Sequence, residues 1–291
     1  MSLKSVWELT KDTFSEWSED KAPQLAAALA YYTMFSLGPL LLIVIAVAGL
    51  VFGREAIQGE IVEQVGGLIG KGSAKEIQTM IKSAQTTASG GIIGTIVGIL
   101  LLIFGATGVF TQLQDALNTV WDVPPKQQDS GIMGTIKDRF LSFAMILGIG
   151  FLLLVSLVLS AGLAAFNRYL NNLVPGFTYV WLIMNFVVSF GIVTLLFAAM
   201  YKVLPDIEVA WSDVWLGAVV TALLFTIGKF LIGLYIGQSG VASAYGAAGS
   251  LVVILVWVYY SALILFLGAE FTQVYADKYG SLNRDIHRAR G

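Results

Sequence analysis

The stretch LVVILVWVYYSALILFLGAEFTQVYA, residues 251–276, decides the fold class. It is apolar for longer than the roughly 20 residues that a helix needs to cross the hydrocarbon core of a bilayer. Its first charge is Glu270, and residues 230–269 contain none. Because one helix of that length would exceed a bilayer, we divide the charge-free region at residues 237–250, whose Gly and Ser residues are typical of a turn or a short re-entrant loop. The sequence therefore predicts a spanning helix at about 248–274.

The whole chain has the composition of a membrane protein. Of its 291 residues, 57% are hydrophobic and 12% are charged, which is about half the charged fraction of soluble domains. The net charge of −2 and the lack of a strong basic patch give no support to nucleic-acid binding. With no cysteine and a single histidine, His287 in the polar tail, the sequence predicts no disulfide, metal site or cofactor. It also lacks a Walker A loop and a Ser/His/Asp set, so we do not expect an enzyme.

Six apolar segments are each long enough to span a bilayer. They lie at about 25–52, 91–113, 140–165, 177–200, 213–236 and 248–274. We expect an all-α integral membrane bundle of six transmembrane helices, forming one domain over residues 1–291. With six spans, one side of the membrane carries about eleven Lys and Arg residues and the other about five. The positive-inside rule then places both termini, including the basic tail 276–291, in the cytoplasm.

Residues 53–90 form the largest predicted piece outside the membrane. Apolar residues recur at helical spacing from Ile57 to Val65, and Ser73 with Glu76 has the pattern of a capping box. We expect two short amphipathic helices here, a hairpin on the extracytoplasmic face. It either lies on lipid or on the bundle, or simply connects the first two spans.

Polar groups in the outer halves of the spans are candidates for a binding site, because ionisable side chains inside a membrane are costly. Lys229 lies about seven residues, and Asn185 about eight, from the outer ends of the fifth and fourth spans. Tyr259 and Tyr260 fall close to the same level. This set could bind an anionic head group; alternatively, Lys229 extends its stem outward to the interface.

Glu270 is expected near the cytoplasmic interface, some twenty residues from the outer end of its span. Its expected neighbours in depth are Gln112, Asp115, Asn118 and Gln24. These residues form either a hydrogen-bonded network that fixes helix ends, or a cytoplasmic vestibule with an inner gate or a proton-linked carboxylate. In the first span, Pro39 should introduce a kink, and the carbonyls that it frees could line a cavity.

Three stretches together resemble the YihY/BrkB family of bacterial inner-membrane proteins. They are KAPQLAAALAYYTMFSLGPLLL (21–42), GATGVFTQLQDALNTVWDV (105–123) and residues 201–276. The resemblance implies a six-helix protein of the inner membrane, associated with envelope integrity, and it adds Tyr31 and Tyr32 to the candidate positions. Transport of lipids or lipid-linked molecules is suggested for relatives. The family has also carried the label ribonuclease BN, but no residue set in this chain is suited to cleaving RNA.

We therefore favour a carrier that is not driven by ATP and that moves a lipid or another amphipathic anionic molecule. Its partners would be the membrane lipids. Its binding residues would be Lys229, Asn185, Tyr259, Tyr260, Tyr31, Tyr32 and Pro39. Its inner gate would be formed by Glu270, Asp115, Gln112, Asn118 and Gln24. The alternative is a structural protein that organises an envelope complex, with a protein partner bound at residues 53–90. The sequence makes no prediction of the oligomeric state.

Overall fold

The computed structural model describes residues 3–69, 71–87, 108–124, 178–238, 245 and 248–282. The described helices are α1 Leu3–Glu19, α2 Ala22–Phe52, α3 Arg54–Ile69, α4 Lys71–Thr87, α5 at residues 108–120, α6 Thr178–Val203, α7 Trp211–Gln238 and α8 Gly249–Lys278. Strands are absent from this part of the chain, so the predicted all-α class is confirmed for it.

Three of the described helices contain segments that are long and apolar enough to cross a membrane. The segments are Phe186–Val203 in α6, Trp211–Tyr235 in α7 and Gly249–Tyr279, which includes α8. Helix α2 has 31 residues and carries no charge. The predicted span at 140–165 and most of the one at 91–113 lie outside the described residues, so the count of six remains a prediction.

Helix α8 lies at the centre of the described bundle. It packs against α7, α2 and α1, and less extensively against α3 and α4. In the second half of α8 every residue from Ala262 to Ala276 is buried or partly buried. This part of the helix therefore has no fully exposed face. A helix that is apolar on all sides belongs inside a bundle. The segment that decided the fold class therefore also forms the core.

Helices α7 and α8 approach each other through two matched Gly–Thr pairs. Gly217 on α7 faces Thr272 on α8, and Gly268 on α8 faces Thr221 on α7, so closely that a Cβ at either glycine would overlap the threonine hydroxyl. The Thr221 hydroxyl donates to the Gly217 carbonyl at 2.7 Å, and the Thr272 hydroxyl donates to the Gly268 carbonyl at 2.6 Å. Each hydroxyl is thus satisfied within its own helix, and the small residues allow the two backbones to come close.

Tyr201 ties α6 to both of these helices. Its side chain is fully buried, and its hydroxyl donates to the Leu265 carbonyl of α8 at 2.8 Å. The same hydroxyl lies 3.0 Å from the Thr221 hydroxyl of α7. Water is scarce inside a membrane, so these buried polar groups depend on one another for hydrogen bonds. The contacts therefore fix the register of three helices at one level.

Helices α3 and α4 pack on the halves of α2 and α8 that are remote from α1. Ile57, Ile77 and Ile81 are buried in one cluster with Ile45 of α2 and Ile254 of α8. The apolar residues of α3 and α4 therefore contact the bundle. The side of the membrane on which they lie remains a prediction.

The Gly268→Ala variant should be less stable by about 1–3 kcal/mol, because the added Cβ would overlap the Thr221 hydroxyl and lie 2.7 Å from the Tyr201 hydroxyl. The matched control is Gly233→Ala on α7, where an added Cβ meets nothing within 4 Å. This control should melt at the same temperature as the parent or slightly higher, because Ala favours a helix. Thermal unfolding of the detergent-purified variants measures both effects. Equal melting temperatures for the two variants would contradict the close α7–α8 contact.

Candidate functional site

Glu270 is buried inside the described bundle, with 0% of the residue exposed. Its neighbour in sequence Ala269 belongs to one buried cluster with Ala22 and Ala26 of α2 and with Trp121, which directly follows α5. The start of α2 and the segment after α5 are therefore part of the same core as α8. Neither Glu270 carboxyl oxygen has a hydrogen-bond partner among the described residues. A buried carboxyl without donors does not stabilise a fold, so its retention needs another explanation.

The charged groups that act on Glu270 are carboxyls from three other parts of the chain. They are Asp20 in the turn between α1 and α2, Glu16 on α1, and Asp122 after α5. With Glu270 these residues form what we call the acidic cluster. Its members differ in accessibility: Glu270 is fully buried, Asp20 and Glu16 are partly buried, and Asp122 is exposed. The cluster thus leads from the core to the surface.

Asp20 is the member of the acidic cluster that acts most strongly on Glu270. The two carboxyls act on each other both as charges and as hydrogen-bonding groups, but no hydrogen bond joins them in the structure. Two carboxyls can form such a bond only when one of them carries a proton. The arrangement therefore suits the exchange of a proton between Glu270 and Asp20.

The pKa of Asp20 is raised from 3.8 to about 6. Burial is the main cause, followed by the charges of Asp122, Glu16 and Glu19, and the interaction with Glu270 lowers the pKa in part. Burial and neighbouring carboxylates raise the pKa of Glu16 in the same way. Asp20 therefore changes its charge closer to neutral pH than an ordinary aspartate does.

The acidic cluster is a poor candidate for a metal centre. Among the residues that the structure describes, no three His, Cys, Asp or Glu side chains are grouped closely enough to hold a metal ion. Divalent ions need several oxygen ligands at short distance.

Two of the other residues predicted for the inner gate, Asn118 and Asp115, interact with Asp206. The Asn118 side-chain amide donates to the Asp206 carboxylate at 3.0 Å and its oxygen accepts from the Asp206 backbone N–H at 2.8 Å. Burial and the charge of Asp206 raise the pKa of Asp115. Gln112 is half-buried on α5, and Gln24 is exposed on α2. The structure thus connects Asn118 and Asp115 with the loop after α6.

The residues predicted for the outer site lie on α6, α7 and α8. Lys229 is exposed on α7, whereas Tyr260 of α8 packs against Gly228, where an added Cβ would lie 2.9 Å from the Tyr260 hydroxyl. Tyr259 is partly buried against the core. Asn185 belongs to α6, but its side chain lies outside the described part. The contact at Gly228 therefore places Tyr260 against α7, but it does not join Tyr260 to the Lys229 side chain.

The predicted positions on α2 form a partly exposed aromatic surface. The rings of Tyr31 and Tyr32 meet edge to face at 5.9 Å, and the Tyr31 ring lies 4.9 Å from that of Phe35. Gly108 of α5 approaches Tyr32, because a Cβ there would lie 3.5 Å from its ring. Helix α2 continues through Pro39, whose side chain is not among those described.

Comparison with known proteins gives a match over most of the chain. The model of the family described as virulence factor BrkB matches residues 13–291. The chain belongs to the BrkB family. The predicted resemblance is therefore confirmed, and the chain is a membrane protein by family and by the three apolar helices described above.

Relatives of this BrkB-family chain are found in several bacteria. A UPF0761 membrane protein of Tolumonas auensis is 28% identical over 92% of the chain and 84% of its own length. A UPF0761 membrane protein of Pseudomonas aeruginosa (strain LESB58) is 29% identical over 86% of the chain, which corresponds to 58% of that relative. A putative ribonuclease-like protein, YfkH of Bacillus subtilis, is 25% identical over 89% of the chain and 92% of its own length. No solved structure matches the chain.

The sequence analysis did not identify three members of the acidic cluster, namely Asp20, Glu16 and Asp122. A signal for Asp20 was nevertheless present, because it directly precedes the apolar residues of the first predicted span. Glu270 lies close to the end of the last span. If both termini are on one side, these two acids must lie near the same membrane boundary.

The Asp20→Asn variant should be more stable than the parent at about pH 7.5. The pKa of Asp20 is higher in the folded state than in the unfolded chain, so the protonated carboxyl favours the folded state. This contribution to stability is fully present below about pH 4 and is lost as the pH rises through about 6. The difference in melting temperature between Asp20→Asn and the parent should therefore become smaller towards pH 4. Melting temperatures in nanodiscs across this range provide the measurement.

Glu208→Gln, at an exposed position between α6 and α7, is the control for this effect. The difference in melting temperature between Glu208→Gln and the parent should stay the same across the pH range. A constant difference for Asp20→Asn as well would show that the Asp20 pKa is not raised on folding.

Proposed function

We propose that this BrkB-family chain is a proton-linked carrier, not driven by ATP, that moves an anionic lipid or another amphipathic anionic molecule across the bacterial inner membrane. The observation that carries the proposal is the Glu270 carboxyl, fully buried and without a hydrogen-bond partner among the described residues, in a helix long enough to span a bilayer. Ionisable groups inside spans are expensive, and they typically belong to substrate, ion or proton pathways.

A change of protonation at Glu270 would act directly on the core of the bundle. Helix α8 contacts α7, α2 and α1, so a charge that appears or disappears on it alters the packing energy of all three contacts. A ligand or a proton shifts a conformational equilibrium only when its interaction free energy differs between the two conformations. The central position of α8 therefore supports Glu270 as the coupling group.

The surface of α7 supports an amphipathic substrate. Lys229 is exposed, and so are Phe230, Leu234 and Tyr235 on the same helix. An ammonium group on an apolar surface attracts a phosphate or carboxylate head group, while the neighbouring side chains can contact acyl chains. Lys229 is thus the candidate for recognition of the head group.

A structural role at residues 53–90 is the second candidate function. Ile57, Ile77 and Ile81 are used inside the bundle, so a partner protein would meet the polar faces of α3 and α4. Exposed residues there include Glu55 and Lys75. Such a partner would be recognised through charge and hydrogen bonds.

An enzymatic role is suggested only by the name of the Bacillus relative. A metal-dependent nuclease would need grouped ligands, and the described residues contain no such group. We therefore place this function after the other two.

Replacement of Glu270 by Gln should abolish the response of transport to pH. The test is translocation of fluorescent anionic and zwitterionic lipids by the purified protein in liposomes, with and without a pH gradient. Parent protein should move the anionic lipid faster when a gradient is imposed. The glutamine side chain has nearly the same shape but is permanently neutral and cannot release a proton, so Glu270→Gln should move lipid at one rate in both conditions.

Glu55→Gln, at an exposed position on α3, is the matched control and should behave as the parent does. An unchanged gradient response in Glu270→Gln would remove the proton role. If folded parent protein moves none of the lipids, the carrier proposal fails, and capture of a partner through α3 and α4 becomes the favoured function.

The Lys229→Met variant should lose preference for the anionic lipid, because the ammonium group that attracts the head group is gone while the apolar stem is kept. We expect the ratio of anionic to zwitterionic transport to fall to about one in the same assay, since an exposed charge acts mainly on selectivity. Lys75→Met, exposed on α4, should keep the parental ratio. An unchanged ratio in Lys229→Met would refute the proposed head-group site.

A further inference from the structure

We infer that Asp20 is the group through which Glu270 exchanges its proton with the cytoplasmic side, so that the turn between α1 and α2 is the proton entrance of this protein. The inference rests on the proposed function, because it takes Glu270 as the proton-binding residue. It adds the partner and the route, neither of which follows from Glu270 alone.

The burial of the acidic cluster supports this route. Glu270 is completely buried, so its proton must pass through a neighbouring group. Asp20 acts on Glu270 and is itself influenced by Asp122 and Glu19, which are both exposed. Glu16 and Asp122 also act on Glu270 through their charges, but Asp20 is the one that acts on it as a hydrogen-bonding group as well, which makes it the favoured proton partner.

The transfer itself is a simple exchange between two carboxyls. Protonated Asp20 gives its proton to the Glu270 carboxylate, after which Asp20 is the anion and Glu270 is the neutral acid. Asp20 then takes a new proton from water at the surface. The total charge of the pair stays at −1 during the transfer, which avoids two adjacent buried anions. Because the pKa of Asp20 is about 6, it can both bind and release a proton near neutral pH.

The backbone holds Asp20 in place. Its N–H donates to the Glu16 carbonyl at 2.9 Å, and the Gln24 N–H donates to the Lys21 carbonyl at 2.7 Å. Between them Lys21 has φ 54°, in the left-handed region that non-glycine residues rarely adopt. The turn is thus tightly bonded on both sides of Asp20.

Helix α1 is anchored to the same end of α8. Lys278 of α8 forms an ion pair with Asp12 of α1. This exposed contact joins α1, which leads into the turn, to the end of α8 that follows Glu270. The ion pair and the hydrogen bonds of the turn therefore both keep the α1–α2 turn near this end of α8.

The groups that set the charge of the route come from every element around it. They are Glu16 and Glu19 on α1, Lys21 in the turn, Asp122 after α5, and Glu270 and Asp277 on α8, with Lys278 paired to Asp12. Carboxyls outnumber the cations, which favours the attraction of protons to this surface.

Infrared difference spectroscopy of the full chain in lipid bilayers tests the route after a rapid drop in pH. Parent protein should show a carboxyl band that Glu270→Gln lacks and a second band that Asp20→Asn lacks. In Asp20→Asn the Glu270 band should form more slowly by a factor on the order of 10², the lower range of what a positioned acid contributes. Glu208→Gln should leave both bands and both rates unchanged.

Asp20→Glu separates a proton role from a structural one. The longer side chain changes the packing but keeps a carboxyl, so the rate should recover to within about tenfold of the parent rate. Equal rates of Glu270 protonation in Asp20→Asn and the parent would overturn the inference. So would a failure of Asp20→Glu to restore the rate while its melting temperature equals that of the parent.

Transport and proton exchange are read out separately, so the two proposals can fail independently. If no lipid moves but Glu270 protonation still depends on Asp20, the carrier function is wrong and the proton entrance stands. A second outcome is that lipid transport responds to pH and loses this response in Glu270→Gln, while Asp20→Asn changes neither the transport rate nor the rate of Glu270 protonation. In that case the carrier function stands and the proton entrance is wrong.

Discussion

The close approach of α7 and α8 is the contact on which the rest of the described bundle depends. Gly217 and Gly268 leave room for the threonine of the opposite helix, and Thr221 and Thr272 satisfy their hydroxyls on their own backbones. Because the helices are so close, Tyr201 of α6 can reach both of them with one hydroxyl. A membrane offers helices little hydrophobic gain for packing together, so close van der Waals contact and buried hydrogen bonds must supply the association.

That packing has a consequence for Glu270. Helix α8 is enclosed by neighbours, and a carboxyl two residues after Gly268 cannot reach the solvent. The surrounding elements add the carboxyls of Asp20, Glu16 and Asp122, which increase the cost of a charge there. Rules for stable cores predict an apolar side chain at such a position, and departures from these rules tend to mark functional sites. The acidic cluster is a departure of this kind.

Membership of the BrkB family places the chain among membrane proteins, and the names of its relatives range from UPF0761 membrane protein to putative ribonuclease-like protein. Because such names do not agree on an activity, function follows from the site. Three features of the site bear on it: one buried carboxyl, its accessible acidic neighbours and the central position of the helix that carries it. A proton-linked carrier uses all three features, whereas a scaffold at residues 53–90 would use none of them.

The sequence by itself determined the helical class and the membrane environment, and it gave a prediction of the depth of Glu270. Those properties depend on the length and composition of single segments, since a run of apolar residues specifies a spanning helix and about 1.5 Å per residue specifies the level along it. The partners of Glu270 were decided only by the tertiary structure. Depth along a helix does not give the direction in which a side chain points, so Asp115, expected at the level of Glu270, is influenced by Asp206. Asp20 reaches Glu270 from the opposite end of the chain because the α1–α2 turn folds over the end of α8.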